Sequence, residues 1–249
     1  MTFLSRQQRT YYFSANNPPA ARIHAGETVI FETEDAGSHR ITKMEDIATY
    51  IARHDYTNPA TGPVYVEGAC LGDTLAVTIE SIELDSSGYT KLSPGAGLLI
   101  NQVQTPACQI WRIEGAPGAY HLSWGPYRLP ARPMLGVIGV APAHGEIYNF
   151  AAGPHGGNLD VPAVAEGATV YLPVFTPGAL LGLGDVHAHQ GDGEISGVAL
   201  ETRARVTARV DLLAGVAWTR PWLETPRAWV TIGIAADVRS AMEQATADM

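Results

Sequence analysis

Asp73-Thr-Leu-Ala-Val-Thr-Ile-Glu-Ser-Ile-Glu-Leu84 places apolar side chains at Leu75, Val77 and Ile79, every second residue, and resumes them at Ile82 and Leu84. A period of two is the signature of a strand with one face buried. The one-residue slip between Ile79 and Ile82 predicts a β-bulge. Further strands are expected from the apolar or alternating runs at Thr28 to Thr33, Pro63 to Glu67, Ala168 to Phe175, Val206 to Leu212 and Arg227 to Ile234. Between these runs fall turn signals: Asn58-Pro59, Thr61-Gly62-Pro63, Gly72-Asp73, Ser87-Gly88 and Glu166-Gly167. Many short strands joined by Gly/Pro turns predict a mainly β fold, a jelly-roll-like β-sandwich rather than an α/β sheet. Helices are expected only at Glu45 to Arg53 and at the C-terminus. There Val238, Met242, Ala245 and Met249 form a helical stripe that Asp237 could cap. That stripe reaches Met249 with no C-cap in the sequence.

The composition bounds the function. The chain has 249 residues, 46% of them hydrophobic and 16% charged, enough for a sizeable core. Its formal net charge of −9, with no basic run, excludes a nucleic-acid footprint. Lysine is confined to Lys43 and Lys91. Cys70 and Cys108 have neither disulfide-framework nor metal-ligand spacing and read as reduced, inert thiols. Met1 to Ala15 has no apolar signal core, and Met134 to Ala143, the longest apolar run, is half the length of a membrane span. The expected compartment is the cytoplasm, with no membrane partner.

Chemistry concentrates between Pro177 and Glu201. Gly184-Asp-Val-His-Ala-His-Gln-Gly-Asp-Gly-Glu194 packs Asp185, His187, His189, Gln190, Asp192 and Glu194 among glycines, where packing alone would not ask for them. If extended, Asp185, His187 and His189 share a face and can reach one ion. A turn after Gln190 would then aim Asp192 or Glu194 back into the same cavity. Gly153-Pro-His-Gly-Gly-Asn-Leu-Asp160 adds His155 and Asp160. Glu32, Glu34 and Asp35 end a strand and, taken alone, read as solvated. His24, His39, His54, His121 and His144 read as singletons. No phosphate-binding loop, dinucleotide fingerprint or His-Glu-x-x-His is present, and Ser196 sits one place too late for a nucleophile elbow.

These boxes resemble the acetamidase/formamidase family. Its hallmark is similar to Gly184 through Glu194. Glu32-Thr33 with Asp35-Ala36, Asn58 through Ala69 with Gly72 to Leu75, Pro133 through Pro142, Gly153 through Asp160 and Glu224-Thr225-Pro226 follow in family order. His189 departs from the small residue usual there. The resemblance implies one domain over residues 1–249, or two β subdomains at about 1–130 and 131–249, and a sequence that stops short of the family's usual C-terminus. It also implies a homo-oligomer and hydrolysis of a short amide to carboxylate and ammonia. The cofactor implied is a divalent metal, zinc first and calcium second. His155, Asp185 and His187 are expected as ligands, with Asp35 and Asp160 as reserves. Glu194 is expected to shuttle the proton, Asp192 to substitute for it, and Gln190 to orient the substrate. A cupin-like oxygenase or isomerase using His187-x-His189 and Glu194 is a rival reading. A metal-stabilised binding protein without catalysis is another.

Overall fold

The structure, a computed structural model, describes residues 1–53 and 55–249; His54 lies outside the described residues. The first half contributes β1 (Thr2–Leu4), β2 (Arg9–Thr10), β3 (Tyr12–Ser14), β4 (Ala21–His24), β5 (Glu27–Thr33), α1 (Asp46–Arg53), β6 (Ala60–Glu67), β7 (Thr74–Leu92), β8 (Ala107–Glu114), β9 (His121–Trp124) and β10 (Tyr127–Pro130). The second half contributes β11 (Met134–Gly139), β12 (Glu146–Tyr148), β13 (Ala152–Gly153), β14 (Gly156–Asn158), β15 (Thr169–Pro173), β16 (Leu181–His189), β17 (Leu200–Leu213), β18 (Trp222–Glu224), β19 (Trp229–Thr231) and α2 (Val238–Asp248). The expected mainly β architecture is what forms.

The long antiparallel pair β7 and β17 organises the molecule. Leu75, Val77 and Ile79 are fully buried, as their alternation requires. Thr207 of β17 then pairs with Ser81, while Ala208 pairs with Ile79. Glu80 is therefore the extra residue of a bulge, and Ile82 returns to the core on its far side. β5 takes the other edge of β17, pairing Thr33 with Ala204 and Glu27 with Val210. β15 and β8 extend β7 at its two ends.

The sheet folds over on itself, so that β4, β6, β11 and β16 oppose β5, β7, β15 and β17 across one apolar cluster. Phe31, Leu75, Ile79 and Val206 meet Ile23, Val64, Ile138, Leu181 and Leu183 there. Residues before 130 and after 131 thus share both a sheet and a core. At about 25 cal/mol per Å² of apolar surface removed from water, this cluster is the main stabilising term.

The C-terminal helix forms where expected, with Asp237 accepting from Ser240 N–H at its start. Its apolar stripe, however, faces outward: Val238, Met242 and Met249 are exposed. The helix docks through polar and small residues instead. Thr231 Oγ1 donates to Ala245 O, Ile234 N–H donates to Gln244 Oε1, and Arg220 pairs with Asp248. Met249 N–H donates to Ala245 O, which supplies the C-cap the sequence reading lacked.

Candidate metal-binding active site

β16 and β17, with the loop between them, form a hairpin that carries Asp185, His187, Gln190, Asp192, Glu194 and Glu201. Val186 pairs with Thr202 and His187 with Glu201, so Glu194 stands midway between them at the turn. The register shifts before His189 pairs with Leu200. That bulge ends the common face of Asp185, His187 and His189: His189 turns away, its Nδ1 3.2 Å from the Pro130 carbonyl. The close pair of imidazoles that a cupin-like site needs is therefore split.

Two overlapping groups of ligand atoms result, each with its members within 4.8 Å of one another: Asp160, Asp185 and His187, and His187, Glu194 and Glu201. His187 Nε2 lies 3.5 Å from Asp185 Oδ1 and 3.4 Å from Glu201 Oε1. None of His187 Nε2, Asp185 Oδ1, Asp160 Oδ1 and Glu201 Oε2 has a hydrogen-bond partner, although all are buried. Four-coordinate ions with bonds of about 2.0–2.1 Å hold their ligand atoms about 3.3 Å apart. The observed separations are close to that value, so the residues fit a small divalent cation.

The surroundings fix each of these side chains. His187 Nδ1 is 2.8 Å from Gln190 Oε1, and Gln190 Nε2 donates to the Asp160 carbonyl at 2.8 Å. An amide oxygen beside Nδ1 holds a ring proton there and turns Nε2 toward Asp185 and Glu201. Both polar ends of Gln190 are thus engaged with protein. Asn58 Nδ2 donates to Asp185 Oδ2 at 2.7 Å and to Asn158 Oδ1 at 2.9 Å. Asn158 in turn donates to Asp160.

Electrostatics mark the same residues. Burial, then the charges of Asp185 and Glu194, raise the Asp160 carboxyl to about 8. Glu201 is pushed well above its usual value, by burial first and then by Asp185, with His187 opposing. For His187, burial opposes protonation, but Glu201 and Asp185 outweigh it and lift the imidazole well above its usual value. Burial likewise raises Glu194. So many carboxylates around one imidazole repel one another, and a cation relieves that repulsion.

Three sequence-selected residues lie apart from both groups. His155 is buried with neither ring nitrogen partnered, and packs 5.3 Å from the Phe13 ring. The room left by Gly153 and Gly157 is filled by its own ring, since a Cβ at either would come within about 3.0 Å of it. Asp35 is buried, accepting from His39 N–H at 2.9 Å. Asp192 is exposed on the turn. The acidic strand end is not solvated as expected, for Arg203 reaches Glu34 at 2.6 Å and Arg205 reaches Glu32 at 3.5 Å. Glu201, Asn58 and Lys91 were not selected from the sequence. The pairing that sets Glu201 opposite His187 is centred on Glu194, beyond the Gly191 to Gly193 segment.

His155 carries a pH prediction. Burial lowers its pKa to about 4, so its folded value lies below its unfolded one. The neutral ring then contributes stability that is full above about pH 6.5 and is lost as pH falls toward 4. The loss across that window is expected to be about 3 kcal/mol. In an NMR titration the His155 ring should stay neutral to about pH 5; a midpoint near 6.5 would contradict this.

The fold is that of a mainly β protein, with a cluster of carboxylates and one imidazole on a hairpin that could hold a metal ion. The Acetamidase/Formamidase family profile matches residues 6–152 and 150–227, and the chain belongs to that family. It is 40% identical to an acetamidase of Bacillus halodurans whose crystal structure superposes with a TM-score of 0.93, over 99% of this chain and 82% of that one. An acetamidase of Yersinia enterocolitica gives 30% identity and a TM-score of 0.90 over 99% of this chain and 78% of that one. A Schizosaccharomyces pombe protein named "Putative formamidase C869.04" is 28% identical over 79% of this chain. The chain spans 62% of that protein's length.

Proposed function

We propose that this chain hydrolyses the C–N bond of a short amide, formamide or acetamide in size, to carboxylate and ammonia, with a divalent metal ion as cofactor. The observation that carries the reading is the set of unpartnered buried donors around His187 Nε2. Family membership supports the reaction class. A cavity of about 200 Å³, lined by Asp160, Asp185, Glu194 and Glu201 with Phe150 at its edge, suits a small substrate.

Asp160, Asp185 and His187 would hold the ion, with Glu201 beside the same imidazole nitrogen. Zinc is the first choice, because an imidazole with carboxylates is a common zinc set; calcium, which takes only oxygens, is the second. When bound, the ion supplies Lewis acidity, polarising the amide carbonyl and making water a better nucleophile. Glu194, half-buried and raised in pKa, takes the proton from the attacking water and delivers it to the departing nitrogen. Asn58 aims Asp185, and Gln190 orients the His187 ring. His155 and Asp35 support the walls, and Asp192 stays in solvent.

We read the molecule as one domain and as a cytoplasmic homo-oligomer. The free Cys70 and Cys108 and the exposed apolar faces at Leu98 to Ile100 and on α2 support that reading. No helix among the described residues is long and apolar enough to cross a membrane.

Elemental analysis paired with an ammonia assay tests the function. Purified protein should contain a divalent metal, release ammonia from formamide or acetamide, and lose that activity on chelation. Metal-loaded protein that releases no ammonia from either amide would favour a binding protein instead.

A further inference from the structure

The chain has only two lysines, and they differ in setting. Lys43 is exposed near α1. Lys91 lies near the end of β7, two residues after Tyr89, so both side chains leave the same face of the strand. Tyr89 of β7 pairs with Glu201 of β17, and Lys91 is the next residue along that face. Lys91 lines the cavity with Asp160, Asp185, Glu194 and Glu201, and it is the one cationic side chain among the described residues that do so.

The stem of a lysine is long and flexible, and carboxylates surround this one. A lysine serving only to offset their charge would be expected to close on one of them. Lys91 does not. Its Nζ is 3.4 Å from Ser93 Oγ and 6.0 Å from the Tyr50 ring centre, and among the described residues it joins no ion pair. Burial pulls its pKa down, while Glu201, Glu194 and Asp185 hold the charged form against that pull. An ammonium with spare donors thus faces open space beside the proposed reaction centre. Nothing in the ion-holding set or in the proton shuttle gives it a task.

We propose that Lys91 is a catalytic residue whose ammonium holds the substrate carbonyl oxygen as it gains negative charge. The assignment rests on the amide-hydrolysis reading. Water oxygen bonds to the acyl carbon, and the carbonyl π electrons move onto the oxygen facing Lys91 Nζ. When the C–N bond breaks, its electron pair leaves with nitrogen, which receives the water proton carried by Glu194. The oxygen charge then returns to the re-formed carbonyl. Lys91 stays protonated throughout and exchanges no proton with substrate. A fixed charge aimed at an oxyanion lowers the barrier without reorganisation, typically by a factor of about 10² to 10³ per donor.

The test is steady-state kinetics on metal-saturated Lys91→Met and Lys91→Gln beside wild type, with metal content and thermal midpoint measured for each. Whichever variant keeps the wild-type midpoint should show kcat reduced about 10²- to 10³-fold, KM changed only severalfold and metal content unchanged. Lys91→Arg, which keeps the charge, should recover at least part of the loss. A folded, metal-loaded variant with kcat within about threefold of wild type would overturn the assignment, as would one whose loss comes entirely from metal depletion. Wild-type protein that releases no ammonia would overturn the hydrolase reading itself. An active wild type with an unaffected Lys91→Met would remove Lys91 alone.

Discussion

Glu194→Gln is expected to lower kcat for amide hydrolysis by about 10²- to 10⁴-fold while leaving the fold and the bound metal intact. Glu194 sits at the hairpin turn with its backbone at positive φ. Gly197 N–H donates to its carbonyl at 2.7 Å, so the turn is hydrogen-bonded rather than loose. Its carboxylate is within ligand reach of His187 and Glu201 and lines the cavity. Unlike Glu201, it is only half-buried. Burial raises its pKa from the ordinary carboxylate value, which moves it toward the range useful for taking and returning a proton near neutrality. Gln keeps the shape and loses the proton chemistry. Turnover close to wild type in metal-replete Glu194→Gln would move the shuttle to another carboxylate, with Glu201 next in line.

The second large effect should come from a residue without a side chain. A Cβ placed on Gly136 of β11 would sit 2.7 Å from Asp160 Oδ1 and 2.9 Å from Asp185 Oδ2. Its own carbonyl accepts from the backbone N–H groups of Leu159 and Asp160, so the strand cannot easily retreat. Gly136→Ala should therefore push the two carboxylates apart while the sheet persists. Metal content is expected to drop sharply, with turnover falling about 10³-fold as the ion's several kcal/mol of stabilisation disappear. Elemental analysis and circular dichroism read the two halves of this statement separately. A folded Gly136→Ala protein with full metal content would show that Asp160 and Asp185 do not hold the ion together.

Strands were legible because alternation is a local property. The bulge at Glu80 was visible as a slip in that alternation, and the Asp237 cap as a single residue. The site was legible only in part. Asp185, His187 and Glu194 stood out because ligand-type residues crowd a glycine-rich segment. Glu201 did not, since continuing the alternation of β17 back from Val206 puts it on the polar face with Arg203 and Arg205. Its burial is a product of pairing with His187 on one side and Tyr89 on the other. Asn58 looked like a turn residue, and its role as donor to Asp185 depends on a partner 127 residues away. Gln190 was recognised as polar machinery, but only the structure shows both its ends occupied. The space beside Gly153 and Gly157 is taken by the His155 ring itself, with Phe13 from a distant strand packed against it.

Placing His187, Glu194 and Glu201 on one hairpin ties the chemistry to a distance counted in residues. Side chains alternate across a strand, so lengthening or shortening the turn by one residue would present Leu200 or Thr202 to His187 in place of Glu201. Such a slip would also turn Val206, Ala208 and Val210 out of the core, so the fold opposes it along with the chemistry. Natural variation at the positions of this loop other than Gln190 and Glu194 should accordingly tolerate new letters far better than insertions or deletions.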